Sequence, residues 1–246
     1  MSNHSKGRSG KYKYYLSVVM PTLNEAGNIK GMISSLERLI IARKYKAEII
    51  VVDDSSEDGT AAIAKKMDER FHNIKVIVRT IRDGAGAAHK LGYEAAKGKF
   101  IVPIEGDCSC DITDIPRLIN RLEAGYDIVV ASRYMPGGHN DKFTYYLSYG
   151  ANRLISLLSG IKVHDFTLSF KAFRSEIIRH VHLVEKDGNP FIVELILKAK
   201  RAGFGRITEI PTKYTGKRRY GKTKNRIFRA AFLTFKAVFR ITLFGD

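Results

Sequence analysis

Glu48-Ile49-Ile50-Val51-Val52-Asp53-Asp54-Ser55-Ser56-Glu57-Asp58-Gly59-Thr60 passes without a break from an apolar run into two adjacent carboxylates and a polar turn. The run Glu48–Val52, rich in Val and Ile, suits a strand covered on both faces. Asp58, before Gly59-Thr60 and a stretch of helical periodicity, stands where a helix N-cap is expected, which predicts a helix over 58–70. The same unit recurs outward from this point. Leu16–Met20, Lys75–Val78, Phe100–Ile104 and Ile128–Ala131 are further short apolar runs, with amphipathic stretches near 28–43, 86–97 and 113–124 between them. Gly98 and Gly125 punctuate the pattern. Strands alternating with helices in this way predict an α/β fold with a mainly parallel central sheet flanked by helices.

From about residue 134 the alternation weakens. Met135-Pro136-Gly137-Gly138 reads as a loop, Tyr145–Leu158 as a helix, Phe166–Arg174 as an extended segment, and Asn189–Ala202 and Arg226–Phe244 as further helices. No internal repeat is visible. The expected organisation is a flexible basic tail over 1–13, one α/β domain over 14–224, and a basic, aromatic amphipathic helix over 225–246.

Ligands of an open α/β sheet bind beyond the carboxyl ends of its strands. The first run ends in Pro21-Thr22-Leu23-Asn24-Glu25, the second in Asp53-Asp54, the fourth in Glu105-Gly106-Asp107 and the fifth in Ser132-Arg133-Tyr134. Carboxylates after three strands converge on one crevice, which is more than helix capping requires.

The ordered set V-x-P-T-x-N-E, V-V-D-D-S-S-x-D-G-T, E-G-D after a strand and S-R-Y resembles the nucleotide-sugar half of family 2 glycosyltransferases of the GT-A fold. Asp165-Phe166-Thr167-Leu168-Ser169-Phe170, Glu194 and Arg218-Arg219-Tyr220-Gly221-Lys222-Thr223-Lys224 are similar to elements of the polyprenyl-phosphate branch of that family. The resemblance implies an inverting transfer of a hexose, with mannose from GDP-mannose as the first reading, to a dolichyl or polyprenyl phosphate. Glucose or another hexose from a UDP-sugar is the alternative. It places Pro21, Leu23, Glu25, Val52 and Asp54 around the nucleotide, and carboxylates suit that task because they accept hydrogen bonds from base and ribose. Glu105, Gly106 and Asp107 match the D-x-D motif and Ser109 a further polar position. Glu105, Asp107 and Ser109 would thus hold Mg²⁺ or Mn²⁺, with Asp107 the central catalytic carboxylate. Arg133, Arg218 and Lys224 match phosphate-binding positions. Plainer readings stand beside these: a first-turn helix residue for Glu25, an ion-pair partner for Arg133, a solvated basic loop for Arg218. Asp165 and Glu194 are candidate organisers of the acceptor side. Glu105 in place of Asp, Leu23 in place of an aromatic residue and Leu168 in place of Gly depart from the family pattern. An inactive, membrane-associated adapter is the competing class.

The formal net charge of +17 is concentrated. Residues 198–240 carry fourteen Lys and Arg against the single acid Glu209, and the N-terminal tail holds Lys6, Arg8, Lys11 and Lys13, which leaves the rest neutral. That predicts an anionic partner at one face. Phe228, Phe232, Phe235 and Phe239 fall within about 60° on a helical wheel, beside an arc of Arg226, Arg229, Lys236 and Arg240, so an anionic membrane surface is the expected partner. The lack of any nucleic-acid module pattern argues against nucleic acid. With no run of about 20 apolar residues, a peripheral place on the cytoplasmic face of a membrane is expected, with a membrane-anchoring subunit as a further partner. Cys108 and Cys110, one residue apart, suit neither a disulfide framework nor a zinc site and read as reduced thiols. The histidines show no ligand spacing, and Gly84-Ala85-Gly86 lacks the context of a dinucleotide fingerprint.

Overall fold

The computed structural model describes residues 12–107, 109–138, 142–213 and 227–244. The apolar runs form β1 (Tyr14–Thr22), β2 (Ala47–Asp53), β3 (Ile74–Val78), β4 (Gly98–Pro103) and β5 (Ile128–Ser132), joined by β6 (Lys171–Arg174) and β7 (Ile207–Pro211). These make one seven-stranded sheet in the order β3-β2-β1-β4-β6-β5-β7. β1 pairs in parallel with β2 and β4, β2 with β3, and β5 with β7, while β6 runs antiparallel between β4 and β5.

The helices are α1 (Ala26–Arg43), α2 (Thr60–Phe71), α3 (Ala85–Ala95), α4 (Ile115–Glu123), α5 (Lys142–Ser159), α6 (Gly188–Arg201) and α7 (Ile227–Phe244). They cover both faces of the sheet because the strands are apolar on both. Leu16, Val18 and Met20 of β1 and Ile49 and Val51 of β2 join Ile33 and Leu36 of α1 and Leu118 of α4 in one core. The intervening Val19, Ile50 and Val52 point the other way, into a core with Tyr93 of α3, Phe191 and Ile196 of α6 and Val238 of α7. The period of two along each strand thus sorts the side chains into two cores.

The chain runs from β1 out to β3 on one side and returns to place β4 on the other side of β1. That reversal opens a crevice beyond the carboxyl ends of β1, β2 and β4.

Three expectations need correction. The helix after β2 begins at Thr60, with its N-cap at Gly59 in the left-handed region (φ 88°), so Asp58 lies one residue outside the cap. Its carboxylate instead ties two helices together: Oδ1 accepts the Thr60 N–H at 3.1 Å and Oδ2 the Ala26 N–H of α1 at 2.9 Å. The extended segment 166–174 is a strand only over Lys171–Arg174, because the residues before it turn around Asp165, which accepts the Leu168 N–H at 3.2 Å. β7 was not foreseen: Ile-Thr-Glu-Ile-Pro is a short edge strand, half-exposed along most of its length, with neither a continuous apolar run nor strict alternation.

Candidate active site

β1 and β2 end level with one another, Thr22 opposite Asp53. Asp53 is consumed locally, accepting the Thr22 hydroxyl at 3.3 Å and the Ser56 N–H at 2.9 Å, and so builds the turn that presents its neighbour. Asp54 receives the Arg79 Nη1 donor at 2.6 Å. Burial pushes its carboxyl above the ordinary value, against the pull of that guanidinium. Asn24, held at φ 56°, donates its N–H to Ser56 Oγ at 2.8 Å and accepts the Glu57 N–H at 3.0 Å, which stitches the two strand ends together. Glu25 follows, buried, with Asn28 Nδ2 on its carboxylate at 2.6 Å. Pro21 and Leu23 are half-buried at the same edge.

β4 delivers its loop into this edge. A β-carbon at Gly106 would stand 3.0 Å from Thr22 Cγ2, 3.6 Å from Met20 Sδ and 3.7 Å from Glu25 Cγ, so a larger residue would push the loop away from β1. Beside it Glu105, Asp107 and Ser109 form one cluster of oxygens. Ser109 donates its N–H to Asp107 Oδ1 at 3.0 Å and its hydroxyl to Glu105 Oε2 at 3.3 Å, and Ser169 donates to Glu105 Oε1 at 2.8 Å. The longer side chain of Glu105 therefore spans serines from two separate loops. Two carboxylates and a hydroxyl are hard donors that fit Mg²⁺ or Mn²⁺. Among the described residues no group of three or more His, Cys, Asp or Glu is arranged to hold a metal. Cys110, buried at the edge of the cluster, has its thiol pushed well above the ordinary value by burial and by the Glu105 and Asp107 charges, which leaves it a neutral thiol.

The opposite wall comes from β5 and the turn before β6. Arg133 Nε and Nη2 bind Asp165 Oδ2 and Oδ1 at 2.7 and 2.9 Å, with Thr167 Oγ1 3.1 Å from Nη2. Asp165 is fully buried and also accepts the Arg133 N–H. The planar fork is thus fixed in a bidentate pair. Next to it Lys171, buried in β6, donates its ammonium to Leu168 O. Burial draws its pKa down to about 7, with Arg133 adding and Asp165 and Glu105 opposing. The sequence held one sign of this residue: a lysine inside the aromatic and apolar segment Phe166–Phe173.

Not every expected residue has its side chain in the crevice. Val52 is fully buried in the core that faces α3, because the alternation that sends Val51 to one face sends Val52 to the other. Glu194, buried on α6, spends its carboxylate on the Val184 and Glu185 N–H groups and the Lys198 ammonium. Arg218 and Lys224 lie outside the described residues, as does Cys108. His164 is tied to Glu209 of β7 through both its main-chain N–H and its ring. A cavity of about 310 Å³ lies at the other end of β1 and β4, between Tyr12, Lys97, Ser175 and Arg179. None of the strand-end carboxylates lines it.

Comparison with known proteins agrees with this fold. Polyprenol monophosphomannose synthase of Mycolicibacterium smegmatis is 32% identical over 214 residues, covering 80% of this chain and 76% of the relative. Dolichol-phosphate mannosyltransferase of Pyrococcus furiosus is 31% identical over 214 residues, covering 85% of this chain but 58% of that longer protein. Glucosyl-3-phosphoglycerate synthase from Mycobacterium tuberculosis, solved in complex with Mn²⁺, UDP and glucosyl-3-phosphoglycerate, superposes with a TM-score of 0.67 at 20% identity, over 92% of this chain and 79% of that one. At that identity the likeness shows the fold, GT-A. The family model described as glycosyl transferase family 2 matches residues 17–181, the segment that carries the ends of β1, β2, β4 and β5 around the crevice, and the chain belongs to that family.

Proposed function

We propose that this chain is an inverting hexosyltransferase that uses a nucleotide-sugar donor, GDP-mannose as the first reading, and a polyprenyl or dolichyl phosphate acceptor. The observation that carries the reading is the meeting at Gly106, where the oxygen cluster of Glu105, Asp107 and Ser109 is packed against Thr22 and Glu25. Both relatives named above are called mannosyl-transferring enzymes of polyprenol or dolichol phosphate, which favours that acceptor and that sugar.

In this reading Glu25 and Asp54 accept hydrogen bonds from ribose and base, while Pro21, Leu23 and the Val52 main chain line the nucleotide. Glu105, Asp107 and Ser109 would hold a divalent ion, which when bound supplies Lewis-acid stabilisation to the departing diphosphate. Arg133, fixed by Asp165, directs positive charge to the phosphates, with Arg218 and Lys224 as further phosphate ligands. The acceptor phosphate is already ionised near neutral pH, so the protein's task is alignment and not deprotonation. An acceptor oxygen bonds to the anomeric carbon as the bond from that carbon to the diphosphate oxygen breaks, and the single displacement inverts the centre.

A lipid acceptor requires access to a membrane. No helix among the described residues is long and apolar enough to cross one. α7 instead leaves Phe232, Phe239 and Leu243 exposed, and α5, which packs against it, leaves Tyr146, Leu154 and Leu157 exposed. With Arg153 and Lys236 also exposed, this face suits an anionic bilayer, or a membrane-anchoring subunit.

The test is sugar transfer to a short-chain polyprenyl phosphate in Mn²⁺, offering GDP-mannose and UDP-glucose in turn. GDP-mannose should be the donor, Asp107→Asn should lose at least about 10²-fold in rate, and Glu105→Ala should lose metal dependence. Transfer from UDP-glucose alone would move the assignment to the UDP-hexose reading. No transfer from either donor would leave the adapter reading.

A further inference from the structure

We infer that Arg240 of α7 and Glu194 of α6 are positioning residues that clamp the wall of the donor pocket, an inference that rests on Asp54 being a donor-binding residue. Arg240 Nη2 binds Glu185 Oε1 at 2.8 Å and lies 3.9 Å from Glu194 Oε1. Glu194 is fully buried and spends its carboxylate on main chain: both oxygens accept the Val184 N–H at 3.1 Å, and Oε2 the Glu185 N–H at 2.9 Å. The loop so held carries Lys186, whose carbonyl accepts the Gly86 N–H at 2.7 Å and whose ammonium pairs with Asp83 at 3.0 Å.

The fit between the two loops is close. A β-carbon at Gly84, where φ is +126°, would lie 2.1 Å from Lys186 O, and one at Gly86 2.8 Å from the same atom. Glycine at both places lets the 184–186 loop sit directly on the start of α3. Asp83 in turn binds Arg79, which donates to Gly84 O at 3.3 Å and to Asp54 at 2.6 Å. A series of charge-assisted contacts, joined between Glu185 and Lys186 by the main chain, therefore runs from α7 through the 184–186 loop and Asp83 to Arg79 and Asp54.

α7 would not need this arrangement for packing alone. Its apolar inner face, Ala237, Val238 and Ile241, already seats it, whereas Arg240 brings an Nε that is enclosed without a partner, a cost that only its pairing offsets. Burial raises the Glu185 carboxyl above its ordinary value and Arg240 opposes that rise. Without Arg240, Glu185 and Glu194 face each other with Lys198 as the remaining cation. Glu185 then turns outward or takes a proton, and the loop loosens.

The experiment compares the full chain with Arg240→Ala, Arg240→Lys and Glu185→Gln, using hydrogen exchange and calorimetric titration with GDP and with UDP in Mn²⁺. Arg240→Ala should speed exchange at the Gly86 and Ala88 amides while β1 and β2 stay protected, and should weaken whichever nucleotide the wild type binds by about fivefold or more. KM for the nucleotide sugar should rise more than kcat falls, and Arg240→Lys should restore most of both. Glu185→Gln is the milder variant and should shift affinity in the same direction. Unchanged exchange at Gly86 and Ala88 in Arg240→Ala overturns the clamp. Faster exchange with unchanged nucleotide affinity overturns its link to the donor. A wild-type chain that binds neither nucleotide defeats the donor reading, and the exchange result then judges the clamp separately.

Discussion

Lys171 shows how much a single side chain can hide. It is enclosed in β6 behind Glu105, and burial holds its ammonium near neutrality, with a pKa of about 7. In the unfolded chain a lysine titrates near 10.4. Between those values the unfolded chain binds the proton and the folded chain does not, so stability rises with pH from about 7 to about 10.4 and is flat below. Lys171→Met, similar in length and without charge, should flatten that rise when denaturant midpoints are measured across the window. An identical slope in the mutant would show that the lysine is charged and compensated. Glu25, Asp54, Asp107 and Arg133, four of the residues that the sequence pointed to, each follow a strand, and a strand end is visible in one dimension. Arg79 was not legible and Lys171 only as a lysine in an apolar segment, because their significance comes from what lies across the fold, Glu105 and Asp165 for Lys171 and Asp54 for Arg79. Val52 belongs to the motif, but the pleat turns its side chain to the core and leaves only its main chain at the strand end.

Among the elements, the turn after β2 performs more than one task. Asp58 was legible as a helix-start residue, yet its second oxygen reaches Ala26 and so joins the starts of α1 and α2, a pairing that no local pattern could announce. Hydrogen bonds from Thr60 and Ala26 outweigh the burial that opposes them and hold the carboxyl below its ordinary value. Asp58→Ala should therefore remove an acceptor from two helix N-termini and cost about 1–2 kcal/mol, by chemical denaturation, the upper range for loss of a cap. Because Glu25 follows β1 at the same junction, nucleotide affinity should fall as well. A loss of a few tenths of a kcal/mol with unchanged binding would reduce Asp58 to an ordinary exposed turn residue. The first five strands and seven helices were readable because period and punctuation agree there. β7 was not, since an edge strand need be neither apolar nor long.

Over the whole molecule, the face proposed to meet a membrane is one that charge alone did not define. The expected stripes on α7 are only partly present: Phe235 packs against the core and Arg240 turns inward to Glu185, while Phe232 and Phe239 remain exposed beside Leu243. α5 enlarges the exposed apolar area with Tyr146 and Leu157, which no reading of α7 alone could supply. Since Ala237, Val238 and Ile241 are core, removing α7 would expose part of that core, so truncation does not separate a membrane role from a packing role. Phe232→Asp with Phe239→Asp is the discriminating change, because both rings face outward at 69% and 56% exposure and their loss leaves the core intact. We expect the double variant to keep its melting temperature and its rate on a water-soluble short-chain acceptor. It should lose sedimentation with anionic liposomes and slow on long-chain acceptors in vesicles, since two exposed aromatic anchors give way to two charges that an anionic surface repels. Binding that survives in the double variant but disappears in high salt would place the attraction in the basic segment and not in the α5–α7 face.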